Sequence, residues 1–177
     1  MLVTLSGLPG SGTSTVARPV ASALGIEHLD GGTVFRTFAA ERHLSLAAFA
    51  VLAEADDSID RALDRRLAER IAAGDALVES RLAGWWAHQG SHPGLKVWLA
   101  CEEHERARRV GARDGHELEE AVVHNREREA SERDRYLGYY GIDLTDLSIY
   151  DLVIDTTTTS ADEVVAQMVA AAQAICA

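Results

Sequence analysis

The segment GLPGSGTSTVARP, Gly7 to Pro19, decides how the rest of the chain is read. It follows the apolar, β-branched run LVTLS (Leu2–Ser6) and opens a stretch of helical spacing that ends at Gly25. Strand, glycine-rich turn and helix, in that order, are the setting of a phosphate-binding loop of the pattern G-x-x-x-x-G-K-[ST]. Gly7, Gly10 and Gly12 permit backbone angles that a side chain would forbid. Loop amides can then turn toward an anion, beside the partial positive charge of a helix N-terminus. Ser11, Thr13 and Thr15 share this loop, and Ser14 stands where a hydroxyl would meet Mg²⁺. The segment departs from the pattern at one position: Thr13 replaces the lysine that reaches the β- and γ-phosphates. Phosphoryl transfer rests on positioning and electrostatics, so arginines from elsewhere can supply that charge.

Beyond this segment, strands alternate with helices. IEHLDGG reads as a short strand running into a turn, ALVES as a third strand, LKVWLA as a fourth and YDLVID as a fifth. Residues 33–74 have a helical pattern in two or three pieces, ending at Gly74. Residues 102–136 are densely charged and read as two helices broken near RDGHE. SADEVVAQMVAAAQAI reads as a closing helix capped by Ser160, with Asp162 and Glu163 in its first turn. This order predicts an α/β fold: one domain over 1–177, with a parallel five-stranded sheet of the P-loop NTPase type and helices on both faces. Ligands in such sheets sit beyond the carboxyl ends of the strands. Pro19, well inside the first helix, should kink it.

Composition narrows the partners. The formal net charge is −11 and the pI about 5.0. A general nucleic-acid or membrane-surface binder would need a basic face, so neither partner is expected. Lys96 is the single lysine, and the remaining fixed positive charge is arginine, which suits bidentate recognition of phosphate. Cys101 and Cys176 fit no disulfide or metal framework, which points to a reduced, cytoplasmic setting. No apolar run reaches membrane-spanning length. The seven histidines are scattered, and His88 and His92 are read as surface residues rather than metal ligands. Trp85, Trp86 and Trp98 are read as core or wall.

Arg36, after the second strand, and Arg81, after the third, lie where parallel strands end, and together can clamp an acceptor phosphate. Glu79, at the end of the third strand, can hold Mg²⁺ through a bound water. Asp60 and Asp64 share one helical face. They read as a solvated ion-pair face, or more sharply as acceptors for the amino group of a base. Residues 102–136 carry half of the chain's arginines, with Arg106, Arg109 and Arg113 on one stripe and Arg128 and Arg135 seven apart. Interleaved acidic residues account for part of this by i,i+4 pairing. A lid that closes over phosphates and excludes water has the same composition.

SGLPGSGTSTVA, GGTVFRTFAAERHLSL, EADDSIDRALDRRL, VESRLAGW, the arginine stripe 106–113 and EREASERDRYLGYYGIDLTDLSIYDLVIDT together resemble the short, archaeal-type cytidylate kinases, a branch of the nucleoside monophosphate kinases. The pieces cover most of the chain in the right order. The resemblance implies transfer of the ATP γ-phosphate to CMP or dCMP with Mg²⁺. It implies that Gly10–Thr15 hold the donor phosphates, Ser14 the metal, and Arg36 and Arg81 the acceptor phosphate. Arg109 is implied to lie against adenine, and Arg128 and Arg135 to reach phosphates when the lid closes. Residues 31–74 would form the acceptor-binding segment and 102–140 the lid of a monomeric enzyme. Thr33 departs from the aspartate of many monophosphate kinases. Two other readings stay open. One is a kinase for another nucleoside monophosphate, modified or not. The other is a nucleotide-binding module without turnover, motivated by Thr13.

Overall fold

The computed structural model describes residues 1–45, 48, 49, 52 and 56–175. Five strands, β1 (Leu2–Gly7), β2 (Glu27–Asp30), β3 (Ala76–Glu79), β4 (Leu95–Ala100) and β5 (Leu152–Asp155), form one sheet in the order β2-β3-β1-β4-β5. Every pairing is parallel. Parallel neighbours need crossovers, and the described residues contain seven helices: α1 (Thr13–Leu24), α2 (Gly31–Glu41), α3 (Asp57–Ala73), α4 (Ala83–Gln89), α5 (Glu103–Asp114), α6 (Leu118–Tyr140) and α7 (Ala161–Ile175).

The central strand explains the layering. β1 is buried along its whole length, so its side chains alternate between two apolar layers. Val3 and Leu5 point to one face with Leu77, Val97, Leu99 and Ile154, where Val16 and Val20 of α1 and Val164 and Met168 of α7 cover them. Leu2 points to the other face, with Ala76 and Val78, against Val34 of α2, Leu67 and Ile71 of α3 and Ala83 and Ala87 of α4. Burial of each large aliphatic side chain contributes about 1.5–3 kcal/mol, enough to fix the register of the short strands.

Helix ends follow their local chemistry. Gly25 and Gly74, at φ 66° and 68°, end α1 and α3 as expected. Ser160 and Glu163 cap α7 reciprocally: the Ser160 amide donates to Glu163 and the Glu163 amide to Ser160 Oγ. The stretch 102–140 is two helices that break at Gly115.

Two local expectations need correction. The DGG after β2 is not a turn: the strand runs straight into α2, because the Asp30 carboxylate accepts from both the amide and the hydroxyl of Thr33 and so caps the helix. α1 runs unbroken through Pro19, which lies exposed on its solvent face, where the missing backbone bond costs least. The middle helical piece expected between α2 and α3 falls largely outside the described residues, as does Cys176. Cys101 carries a free thiol. No described helix is long and apolar enough to cross a membrane.

Candidate active site

β1 lies between β3 and β4, so the loop that follows it opens at the switch point of the sheet, beyond the strand ends. Gly10 and Gly12 take φ of 83° and 94°. At Gly10 a Cβ atom would lie 2.4 Å from the Arg106 carbonyl oxygen, so conformation and space both require glycine. The Ser11 amide donates to Leu8 O and the Thr15 amide to Gly12 O. These two amides stabilise the loop itself, a use that the motif pattern does not reveal.

Ser14 and Glu79, the two residues read from sequence as candidates to hold Mg²⁺, stand side by side. Ser14 Oγ donates to Glu79 Oε1 at 2.6 Å, although 65 residues separate them. Glu79 is buried, and its other oxygen pairs with His28 Nε2 at 3.1 Å. A hydroxyl and a carboxylate at the foot of a phosphate loop are hard oxygen donors of the kind Mg²⁺ takes, so the donor set fits that ion.

Three guanidinium groups grip the outer carbonyls of the loop. Arg81 Nη1 donates to Gly7 O at 2.7 Å, Arg106 Nη1 to Pro9 O at 3.3 Å and Arg109 Nη1 to Gly10 O at 3.4 Å. Arg109 also holds the Thr156 carbonyl at 2.6 Å, and the Thr156 hydroxyl donates to Ser11 O. Thr13 therefore sits in a loop ringed by arginine. Lys96 cannot stand in for the missing lysine, because it pairs with Asp151 at the start of β4.

The arginine stripe of α5 divides by role. Arg106 is buried and pairs with Glu129 of α6, Arg109 touches the loop, and Arg113 turns to Asp114. Glu132 of α6 accepts from Arg81 at 2.9 Å on one oxygen and from Arg128 at 2.9 Å on the other. Burial pushes the Glu132 carboxyl up, but Arg81 and Arg128 outweigh it and hold the group below its ordinary value. Arg135 pairs with Asp60 of α3, joining the two helices. Arg36 donates to Thr33 Oγ1 at 2.8 Å and lies 3.8 Å from Asp30. The carboxylate missing at Thr33 is thus present three residues earlier, at Asp30.

These parts share one cavity of about 860 Å³. It is lined by the loop, Asp30, Arg36, Glu79, Arg81, Arg109, Arg128 and Arg135, so the residues picked out in the sequence converge. Asp60, Asp64, Arg113 and Tyr136 also line it. Asp64 accepts from the Tyr140 hydroxyl at 2.9 Å. Burial is the main reason its carboxyl is pushed up to about 6, and neighbouring Asp60 adds to the effect. Tyr136 and Tyr140 carry no positional signal in the sequence, because their roles depend on how α6 folds back. Trp85, Trp86 and Trp98 pack into apolar clusters, as expected.

Comparison with known proteins gives the family and the fold. Among curated proteins, the cytidylate kinase of Pyrococcus horikoshii is 43% identical over 171 residues, 97% of this chain and 88% of that protein. That of Halobacterium salinarum is 47% identical over 165 residues, covering 93% and 85%. Among solved structures, a shikimate kinase from Acinetobacter baumannii superposes with a TM-score of 0.65 at 16% identity, covering 98% of this chain and 93% of that one. An uncharacterized protein from Eubacterium ventriosum reaches 0.72 at 13%, covering 98% of each. At such identities these two speak for the fold alone, a P-loop kinase α/β sheet. Residues 2–158 match the cytidylate kinase-like family, and the chain belongs to that family.

Proposed function

We propose that the protein transfers the γ-phosphoryl group of ATP to CMP or dCMP, giving ADP and CDP or dCDP, as a cytoplasmic monomer. One observation carries the reading: a single cavity in one chain holds the phosphate loop, the Ser14–Glu79 oxygen pair and arginines from α2, the β3–α4 turn, α5 and α6. In this reading Gly7, Gly10, Ser11, Gly12, Thr13, Ser14 and Thr15 cradle the donor, and Arg109 lies beside its base. Arg36 and Arg81 hold the acceptor phosphate. Residues 31–74 form the acceptor segment and 102–140 the lid, with Arg128 and Arg135 turning from carboxylate to phosphate as it closes. Asp60 and Asp64 offer oxygen acceptors to the exocyclic amine of cytosine.

An oxygen of the acceptor phosphate forms a bond to the γ-phosphorus while the bond to the β,γ-bridging oxygen breaks, and ADP leaves with that oxygen. The nucleophile is already an anion, so no strong base is required. The chain orients the two phosphates, keeps water out, and spreads positive charge around the transferring group. Ser14 and Glu79 would hold Mg²⁺, which supplies charge neutralisation of the phosphates when bound. Arg81, Arg106 and Arg109 around the loop support turnover without the lysine.

ATP assayed against a panel of monophosphates tests the reading. CMP or dCMP should be phosphorylated at least about tenfold better, by kcat/KM, than AMP, GMP or UMP, a difference of about 1.4 kcal/mol. Thr13→Lys should change kcat by less than about tenfold. No transfer to any monophosphate, together with tight ATP binding, would make the chain a non-catalytic binding module.

A further inference from the structure

His116, Glu120 and His124 gather their ligand atoms at the surface of the α5–α6 hairpin, all within 4.8 Å of one another. In a continuous helix, residues eight apart lie about 12 Å apart along the axis. In this hairpin the His116 and His124 rings meet at 5.0 Å, edge to face. The cause is local. α5 ends at Gly115, and the His116 amide donates to Gly111 O at 3.1 Å. His116 thus belongs to the end of α5, while its ring lies over the first turns of α6. His116 Nδ1 stands 3.3 Å from Glu120 Oε2. Two donors bound tetrahedrally at 2.0–2.1 Å lie roughly 3.4 Å apart, so this edge already has the length a metal requires.

We propose that His116, Glu120 and His124 form a site for a divalent ion of the zinc class that clips the α5–α6 turn together. Two imidazoles and one carboxylate suit zinc, cobalt or nickel and not magnesium or calcium, which prefer oxygen donors alone. Water completes the coordination at this exposed position, and the ion's effect is on the hairpin rather than on the reacting phosphates. The site does not involve Ser14 or Glu79, so it stands or falls independently of the proposed kinase activity.

Chelator-treated protein, with ADP and Mg²⁺ added to fill the nucleotide site, should be titrated with Co²⁺ by visible absorption and with Zn²⁺ by calorimetry. One ion per chain should bind. His124→Ala and Glu120→Ala should each weaken binding at least tenfold, and His88→Ala/His92→Ala should leave it unchanged. Zn²⁺ should raise Tm in the parent protein and not in His124→Ala. None of these four side chains is buried, and matching melting curves of the metal-free proteins establish that the variants fold. Failure of Co²⁺ to saturate a signal, or equal affinity in the parent and His124→Ala, overturns the proposal.

Discussion

Asp64 shows how one residue can cost the fold stability and still suit a binding cavity. Its carboxyl is pushed up to about 6 from 3.8, first by burial and then by Asp60, against the Tyr140 hydrogen bond. A carboxyl with a raised pKa binds a proton more tightly when folded than when unfolded. Its stabilising contribution therefore exists at acid pH and is lost as pH rises from about 4 through about 6. At neutral pH the ionised group costs about 3 kcal/mol. Asp64→Asn should raise stability by about that amount at pH 7, with the gain shrinking as pH falls from 6 to 4. Denaturant melts of both proteins across this range test it, and an equal difference at every pH would refute titration of Asp64 as the cause. If Asp64 meets the cytosine amine, the same variant should raise KM for CMP more than it lowers kcat.

At the scale of elements, Glu132 joins two parts: α6, where it also holds Arg128 one turn earlier, and the β3–α4 turn, through Arg81. Removing it leaves Arg81, only 18% exposed, without its counter-charge. Loss of one partner from a buried pair costs about 3–5 kcal/mol, and the exposure of Arg128 reduces that to about 2 kcal/mol for Glu132→Gln. For a chain of this size the expected fall in Tm is about 4–8 °C. Glu132 is held below its ordinary value, so its contribution is present above pH 4.5 and lost only as pH falls through the lower, folded-state value. The gap between parent and variant should stay constant from pH 5 to 8 and close in acid. Such joints also mark where the sequence is legible. The alternation of strands and helices, the loop, the Gly25, Gly74 and Ser160 caps and the break near Gly115 are local signals, carried by residues within a few positions of one another. Glu79 and Arg81 are legible because strand ends in a parallel sheet have a fixed position. Asp30 misleads because Asp-Gly-Gly suits a turn as well as a helix cap. The split of the arginine stripe is not legible, since Arg106 and Arg113 share one helical face and differ only in what lies opposite.

Across the whole molecule, net charge is −11, yet one cavity brings together Arg36, Arg81, Arg109, Arg113, Arg128 and Arg135 beside five carboxylates. Several of those arginines are neutralised by the chain's own carboxylates: Arg81 and Arg128 by Glu132, and Arg135 by Asp60. In the proposed function, phosphates compete for the same guanidinium groups, and binding trades one set of ion pairs for another. The Arg135–Asp60 pair links α6 to α3, so the proposed function couples occupancy of the cavity to how those two helices sit on the sheet. A bisubstrate analogue carrying adenosine and cytidine should therefore slow hydrogen exchange in α2, α3, α5 and α6, while β1, β3 and β4, already buried on both faces, change little. ADP alone should protect the loop and α5 more than α2 and α3. Protection spread evenly over sheet and helices would show global stabilisation by mass action instead, with no closure of the segments around the cavity.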